Sequence, residues 1–315
     1  MKFYGLVDGS DTSLRNYLKQ LPGVDQVGAD SRAAMLATRS IKTTSKAWAI
    51  DTAISMVDLT TLEGADTPGK VQALCSKAFR PDPTDLSVPH VGAVCVYNDM
   101  VSIARQHLDA IGAKDLPVAA VSTAFPSGRA SMAVKLQDTE DAIAAGAAEI
   151  DMVIDRGAFL SGKYIEVFEE IVAIRELCGD RAHLKVILET GELVTYDNVR
   201  KASYLAMLAG ADFIKTSTGK VTPAATPPVV LVMLEAVRDF YDLTKVRIGV
   251  KPAGGIRTTK DAIKQLVLVN ETAGPEWLNP SLFRIGASAL LNDLLLQRMK
   301  MSDGYYASPN YVTID

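Results

Sequence analysis

The chain has 315 residues, 48% of them hydrophobic, and a formal net charge of −4 from 33 Lys plus Arg against 37 Asp plus Glu. This composition supports a sizeable core and argues against general disorder; it gives no overall attraction to nucleic acid or an anionic membrane, so a small-molecule partner is expected. Cys75, Cys95 and Cys178 are far apart and form no C-x-x-C pair, which argues against a disulfide framework or a thiolate metal site and suits a reducing cytoplasm.

Residues 1–50 are helix-prone, with an interruption at Leu21-Pro22-Gly23, and are expected to form an N-terminal extension. Lys2, Asp8, Asp11 and Arg15 leave no continuous apolar leader there. Short apolar runs then recur at 53–59, 92–96, 118–122, 149–154, 184–188, 212–215, 247–250 and 283–285. Most are too continuous for a sheet with one wet face, so burial on both faces is implied. Between them, residues 139–148 and 196–208 carry apolar side chains at helical spacing, with Gly146 and Gly210 near the expected stops. The apolar stretch 227–237 is too short to span a membrane and contains Glu235. Eight buried strands with intervening helices predict an α/β fold, a (β/α)8 TIM barrel over residues 51–300. A doubly wound open sheet would produce similar local patterns, and the count of eight favours the barrel. Residues 301–315 are rich in turn formers and tyrosine and are expected to be a flexible C-terminal tail.

In such a barrel the catalytic groups stand at the C-terminal ends of the strands. Asp151 lies in the fourth run, Lys215 ends the sixth and Lys251 closely follows the seventh, so two lysines and a carboxylate point at one pocket. A lysine attacks a carbonyl only as the free amine, and a reference pKa of ~10.4 leaves less than about one in a thousand deprotonated at neutral pH. Burial and a second nearby cation both disfavour the ammonium, which makes Lys215 with Lys251 a chemically sensible pair without a metal. Asp151 is then positioned to act as general acid or base. The plainer alternatives are a solvated or salt-bridged lysine and an aspartate that pairs with it.

Glycines in the later loops add a second signal, because backbone N–H groups approach a phosphate closely where no Cβ intrudes. The candidates are Gly219-Lys220, Gly254-Gly255 and Gly286-Ala287-Ser288, the last two following the seventh and eighth strands, where many barrels hold phosphate. Lys220 would add a charge-assisted contact. No G-x-G-x-x-G, P-loop or H-E-x-x-H pattern supports a dinucleotide, Walker-type nucleotide or zinc-protease reading, and His90, His107 and His183 are scattered.

Taken together, Asp212-Phe213-Ile214-Lys215-Thr216-Ser217-Thr218-Gly219-Lys220 and Val250-Lys251-Pro252-Ala253-Gly254-Gly255-Ile256-Arg257 resemble strings of the deoxyribose-phosphate aldolase family. Met56-Val57-Asp58-Leu59-Thr60-Thr61-Leu62, Val94-Cys95-Val96-Tyr97, Phe125-Pro126, Glu149-Ile150-Asp151-Met152-Val153 and Leu188-Glu189-Thr190-Gly191-Glu192-Leu193 follow the same family order, over roughly residues 50 to 300. The resemblance implies reversible cleavage of 2-deoxy-D-ribose 5-phosphate to D-glyceraldehyde 3-phosphate and acetaldehyde, with no metal or organic cofactor. It implies Lys215 as the Schiff-base residue, Lys251 as the group that depresses its pKa and Asp151 as the proton shuttle. Gly219, Lys220, Gly254, Gly255 and Ser288 would surround the phosphate, and Thr60 and Thr218 would line the sugar pocket. Ala289 stands where the family often has a second serine, and the chain ends at Asp315 rather than in the family's tyrosine, with Tyr311, Tyr305 and Tyr306 upstream. A noncatalytic phosphosugar-binding barrel and a Schiff-base aldolase of another phosphosugar stay open as alternatives. A homodimer is the expected assembly.

Overall fold

Val57, Leu59, Val94, Val96, Ile150, Met152, Val186, Ile214, Val250 and Ile285 all belong to one buried apolar cluster, shared with the helices outside the sheet. Their alternation with Asp58, Cys95, Asp151, Lys185, Lys215 and Lys251 sends every second side chain to the other face. In a closed barrel that other face is the interior, which explains why the strands are buried throughout and still carry charge.

The computed structural model describes residues 2–305, 307, 308 and 312. Its strands are β1 (Val57–Thr60), β2 (Ala93–Val96), β3 (Val118–Ser122), β4 (Glu149–Val153), β5 (His183–Ile187), β6 (Phe213–Lys215), β7 (Gly249–Lys251) and β8 (Ile285–Ala287). All ladders are parallel, in the order β7-β6-β5-β4-β3-β2-β1-β8. Bridges from Val250 to Phe283 and from Ala253 to Gly286 join the two ends and close the (β/α)8 barrel.

The helices are α1 (Asp11–Gln20), α2 (Gln26–Leu36), α3 (Thr43–Ser55), α4 (Pro68–Phe79), α5 (Val101–Ala110), α6 (Met132–Ala144), α7 (Arg156–Leu160), α8 (Tyr164–Cys178), α9 (Tyr196–Leu208), α10 (Pro227–Thr244), α11 (Thr259–Thr272) and α12 (Leu290–Asp303). Their ends obey local rules. Thr67 caps α4 ahead of Pro68, Thr258 and Asp261 form a reciprocal capping box on α11, and Gly146 and Gly210 take positive φ just beyond α6 and α9.

β7 and β8 start two residues later than the runs at 247–250 and 283–285, and three further boundaries differ from the sequence reading. Residues 53–55 close α3 rather than open the first strand, because Ala49, Ile50, Ala53 and Ile54 form a continuous buried helical face. A short apolar run does not separate strand from buried helix, and the extension boundary at residue 50 therefore falls inside α3. The helix expected over 139–148 runs from Met132 to Ala144; Ser131 makes no side-chain cap that would mark its start. Residues 301–303 still belong to α12, which Gly304 ends in the left-handed region. Beyond it Val312 is buried in the outer core, whereas Tyr306 and Tyr311 lie outside the described residues.

The N-terminal helices explain the apolar stretch 227–237. It forms the first part of α10, which packs against α9, α11 and β7 and is covered by α2. Glu235, buried within this contact, pairs with Arg32 of α2 at 2.6 Å and Arg200 of α9 at 3.1 Å, binding the extension to the barrel. Among the described residues no helix is long and apolar enough to cross a membrane.

Candidate active site

Parallel pairing sets Lys215 and Lys251 at the same register on β6 and β7, both projecting inward. Asp151, in the middle of β4, rises between them, and each lysine Nζ lies 2.7 Å from its Oδ2. Lys215 is 3% exposed and the other two are fully buried. The structure thus brings together the three residues picked from the sequence, with one difference: the lysines do not face each other bare, because a carboxylate oxygen stands between them.

Sequence reasoning assigned no role to four further charged residues in the same interior. Lys185 of β5, directly opposite Asp151 in the ladder, approaches Asp151 Oδ1 at 3.2 Å and is hydrogen-bonded to Glu149. Asp58 of β1 pairs through Oδ2 with Lys251 at 2.5 Å and through Oδ1 with Arg284 at 2.6 Å. Arg284 reaches Glu149 Oε1 at 3.0 Å. The signal was present in the sequence: a charged residue at an alternate position of a strand buried on both faces must meet a partner inside.

Small residues make room for these long side chains. A Cβ on Gly249 would stand 2.2 Å from the Phe213 ring, and one on Gly286 would stand 3.3 Å from Lys251 Cε. Leu62, Cys95, Ala119 and Val121 form a separate small apolar cluster, so the interior is apolar towards β2 and β3 and ionic towards the rest.

Burial pushes Asp151 towards its neutral form, but Lys185, Lys215 and Lys251 outweigh it and hold the carboxyl well below the usual range. Burial likewise opposes charge on Lys251, yet Asp151 and Asp58 hold its ammonium well above the ordinary lysine value. Lys185 is raised for the same reason by Asp151 and Glu149, against its own burial. Asp58 is lowered by Lys251 and Arg284 against its desolvation. Burial raises the Cys95 thiol and keeps it neutral beside this group.

The loops at the mouth carry the other predicted residues. Gly219 and Lys220 follow β6, Gly254 and Gly255 follow β7, and Ser288 follows β8. These loops adjoin: a Cβ on Gly254 would lie 3.4 Å from Gly219 Cα, and the Gly254 N–H donates to Gly286 O at 3.4 Å. Gly219, Gly254 and Gly255 all have positive φ, and no atom stands near the missing Cβ of Gly219 or Gly255. Ser288 and Ala289 are exposed just ahead of α12, whose N-cap has no side-chain hydrogen bond. Lys220 pairs with Glu63 of the loop after β1 at 2.9 Å. Thr60, half-buried at the end of β1, donates its hydroxyl to the Asp58 carbonyl. Thr218 is turned into the protein, its backbone N–H and its hydroxyl both donating to Glu189. Glu189, buried and in the left-handed region, is a further residue to which the sequence gave no role; it fixes the loop that starts at Lys215.

Fold and side-chain chemistry point to one class, the barrel aldolases that work through a lysine amine. The chain matches the family described as DeoC/LacD family aldolase over residues 52–295, and it belongs to that family. It is 47% identical to the deoxyribose-phosphate aldolase of Mus musculus over 280 residues, covering 86% of this chain and 87% of the mouse protein. It is 48% identical to the Homo sapiens deoxyribose-phosphate aldolase over 270 residues, covering 83% and 84%. A tetrameric deoxyribose phosphate aldolase structure from Aeropyrum pernix aligns with TM-score 0.61 and 25% identity, covering 82% of this chain and 99% of that one.

Proposed function

We propose that this aldolase reversibly cleaves 2-deoxy-D-ribose 5-phosphate to D-glyceraldehyde 3-phosphate and acetaldehyde through a Schiff base on Lys215. The observation that carries the reading is the convergence of Lys215 and Lys251 on Asp151 Oδ2 at the C-terminal end of the barrel. Lys185 and Lys251 are held as ammonium ions by their carboxylates and are fully buried, whereas Lys215 keeps slight exposure at the end of β6 and is assigned the Schiff base.

The Lys215 amine adds to the C1 aldehyde of the open-chain sugar, and Asp151 passes protons between nitrogen and the carbinolamine oxygen until water leaves and an iminium forms. Removal of the proton from the C3 hydroxyl lets the C2–C3 bond break, its electron pair moving towards the iminium nitrogen as an enamine while C3 becomes the glyceraldehyde 3-phosphate aldehyde. Protonation of the enamine at carbon and hydrolysis then release acetaldehyde and restore the amine. Lys251, fixed between Asp58 and Asp151, keeps a positive charge beside the reacting nitrogen and orients the Asp151 carboxylate. Gly219 and Gly255 offer backbone donors to the phosphate, Gly254 holds the turn between them and β8 through its bond to Gly286 O, and Lys220 and Ser288 stand at the edge. Thr60 borders the sugar, and Thr218, bound to Glu189, supports the loop that borders it from the other side.

Residues 51–300 form the catalytic domain in this reading, with 1–50 as an extension and 301–315 as a tail. Three buried free cysteines suit a reducing cytoplasm. Val27 and Met35 on α2 and Trp48 on α3 are exposed apolar side chains of the kind a second copy in a homodimer would cover. The test of the substrate is acetaldehyde release from 2-deoxyribose 5-phosphate, followed by a coupled reductase. Sustained release supports the reading; folded protein that turns over a different phosphosugar but not this one contradicts it.

A further inference from the structure

The charged residues of the barrel interior form a closed ring in which carboxylate and cation alternate. Asp151 meets Lys251, Lys251 meets Asp58, Asp58 meets Arg284, Arg284 meets Glu149, Glu149 meets Lys185, and Lys185 returns to Asp151 through its other oxygen. Three carboxylates balance three cations, and each carboxylate uses one oxygen on each neighbour. Lys215 stands outside the ring, attached only at Asp151 Oδ2. A proton on Lys215 is therefore the one positive charge the ring does not balance, in an interior where uncompensated charge is costly.

We propose that Arg284 and Glu149 are positioning residues for the aldol chemistry: by closing the ring from the N-terminal side of the strands, they set the charge balance against which Lys215 gives up its proton and fix the direction of Asp151 Oδ2. The inference rests on the Schiff-base role given to Lys215 above. Arg284 is built for such a place. Its guanidinium forks to Asp58 and Glu149, its Nε donates to Pro280 O, and the absent Cβ of Gly92 leaves space 3.1 Å from its Cδ. Glu149, the first residue of β4, holds Lys185 on one oxygen and Arg284 on the other, two residues before Asp151 on the same strand face. The groups around Lys215 include Asp151, Lys251, Lys185, Asp58 and the neutral thiol of Cys95; the buried Glu189 carboxylate, tied to Thr218 in the loop after β6, lies outside the ring and is the same in every variant below.

The ring makes an unusual demand on pH profiles. Glu149→Gln keeps the shape and removes one negative charge, leaving the ring positive; the acid limb of kcat/KM moves to lower pH by about one unit. Arg284→Met leaves it negative, and the limb moves to higher pH by a similar amount. The double variant restores balance and returns the limb to within a few tenths of the native position. Arg284→Lys keeps the charge but loses the fork, so it lowers kcat with KM little changed and leaves the limb in place; this variant, with Glu149→Gln, decides the matter if Arg284→Met does not fold. Limbs that stay fixed, or that move in the same direction in both single variants, overturn the proposal, because a purely structural defect lowers rate without opposite displacements. Borohydride trapping of native protein separates the two levels. Absence of any adduct refutes the Schiff-base reading itself, whereas an adduct with immobile limbs refutes only the ring.

Discussion

Lys215 and Lys251 stand side by side in register on adjacent parallel strands, and both side-chain nitrogens meet the same oxygen of Asp151 at 2.7 Å. A single carboxylate oxygen thus serves the lysine assigned to bond formation and the lysine that remains charged, which ties their protons together more closely than proximity alone.

Replacing Lys251 tests this tie. Lys251→Leu leaves Asp58 and Asp151 short of one buried partner and destabilises the fold by roughly 3 kcal/mol, measured from urea denaturation. With one cation gone, the remaining carboxylates favour a proton on their surviving partners, so residual activity moves to higher pH. An unchanged pH–rate profile in folded Lys251→Leu argues against the coupling.

The same network predicts how stability depends on pH. Asp151 and Asp58 are depressed in the folded protein, so their contribution is present above the unfolded carboxylate value of ~3.9 and is lost as pH falls through the lower folded values. Lys251 and Lys185 are raised, so their contribution is complete below ~10.4 and is lost only as pH rises through the folded values. Across about pH 5 to 9 these four groups therefore add no slope, and in a Lys215→Ala background, where the reacting amine is absent, urea midpoints with and without Lys251→Leu should differ by a constant amount. A gap that narrows steadily through neutrality contradicts these assignments.

At the mouth, Lys220 is held by Glu63 and lies beside the glycine loops. Lys220→Met is expected to raise KM for 2-deoxyribose 5-phosphate about tenfold, the equivalent of ~1.4 kcal/mol, with a smaller change in kcat. Unphosphorylated 2-deoxyribose should be almost indifferent to the change. Equal losses on both sugars would place the effect of Lys220 elsewhere than on phosphate.

The barrel was legible because its strands are short, apolar and evenly spaced, and Lys215, Lys251 and Asp151 were legible because they close or interrupt those runs. The first strand was misplaced because Ala53 and Ile54 serve a buried helical face as readily as a strand. The links from Asp58 through Arg284 to Glu149 and Lys185 were not legible, since ion pairs between residues so distant in the chain follow from barrel closure. The cover that α2 lays over α10 was hidden for the same reason, although Glu235 in an otherwise apolar stretch marked the place where it is pinned.

The most direct test is to incubate the protein with 2-deoxyribose 5-phosphate and borohydride and locate the reduced adduct by peptide mass spectrometry. The expected result is an adduct on Lys215 alone, absent from a folded Lys215→Ala variant whose turnover falls by on the order of 10⁴-fold or more. An adduct on Lys251 or Lys185, or full turnover by Lys215→Ala, would contradict the account.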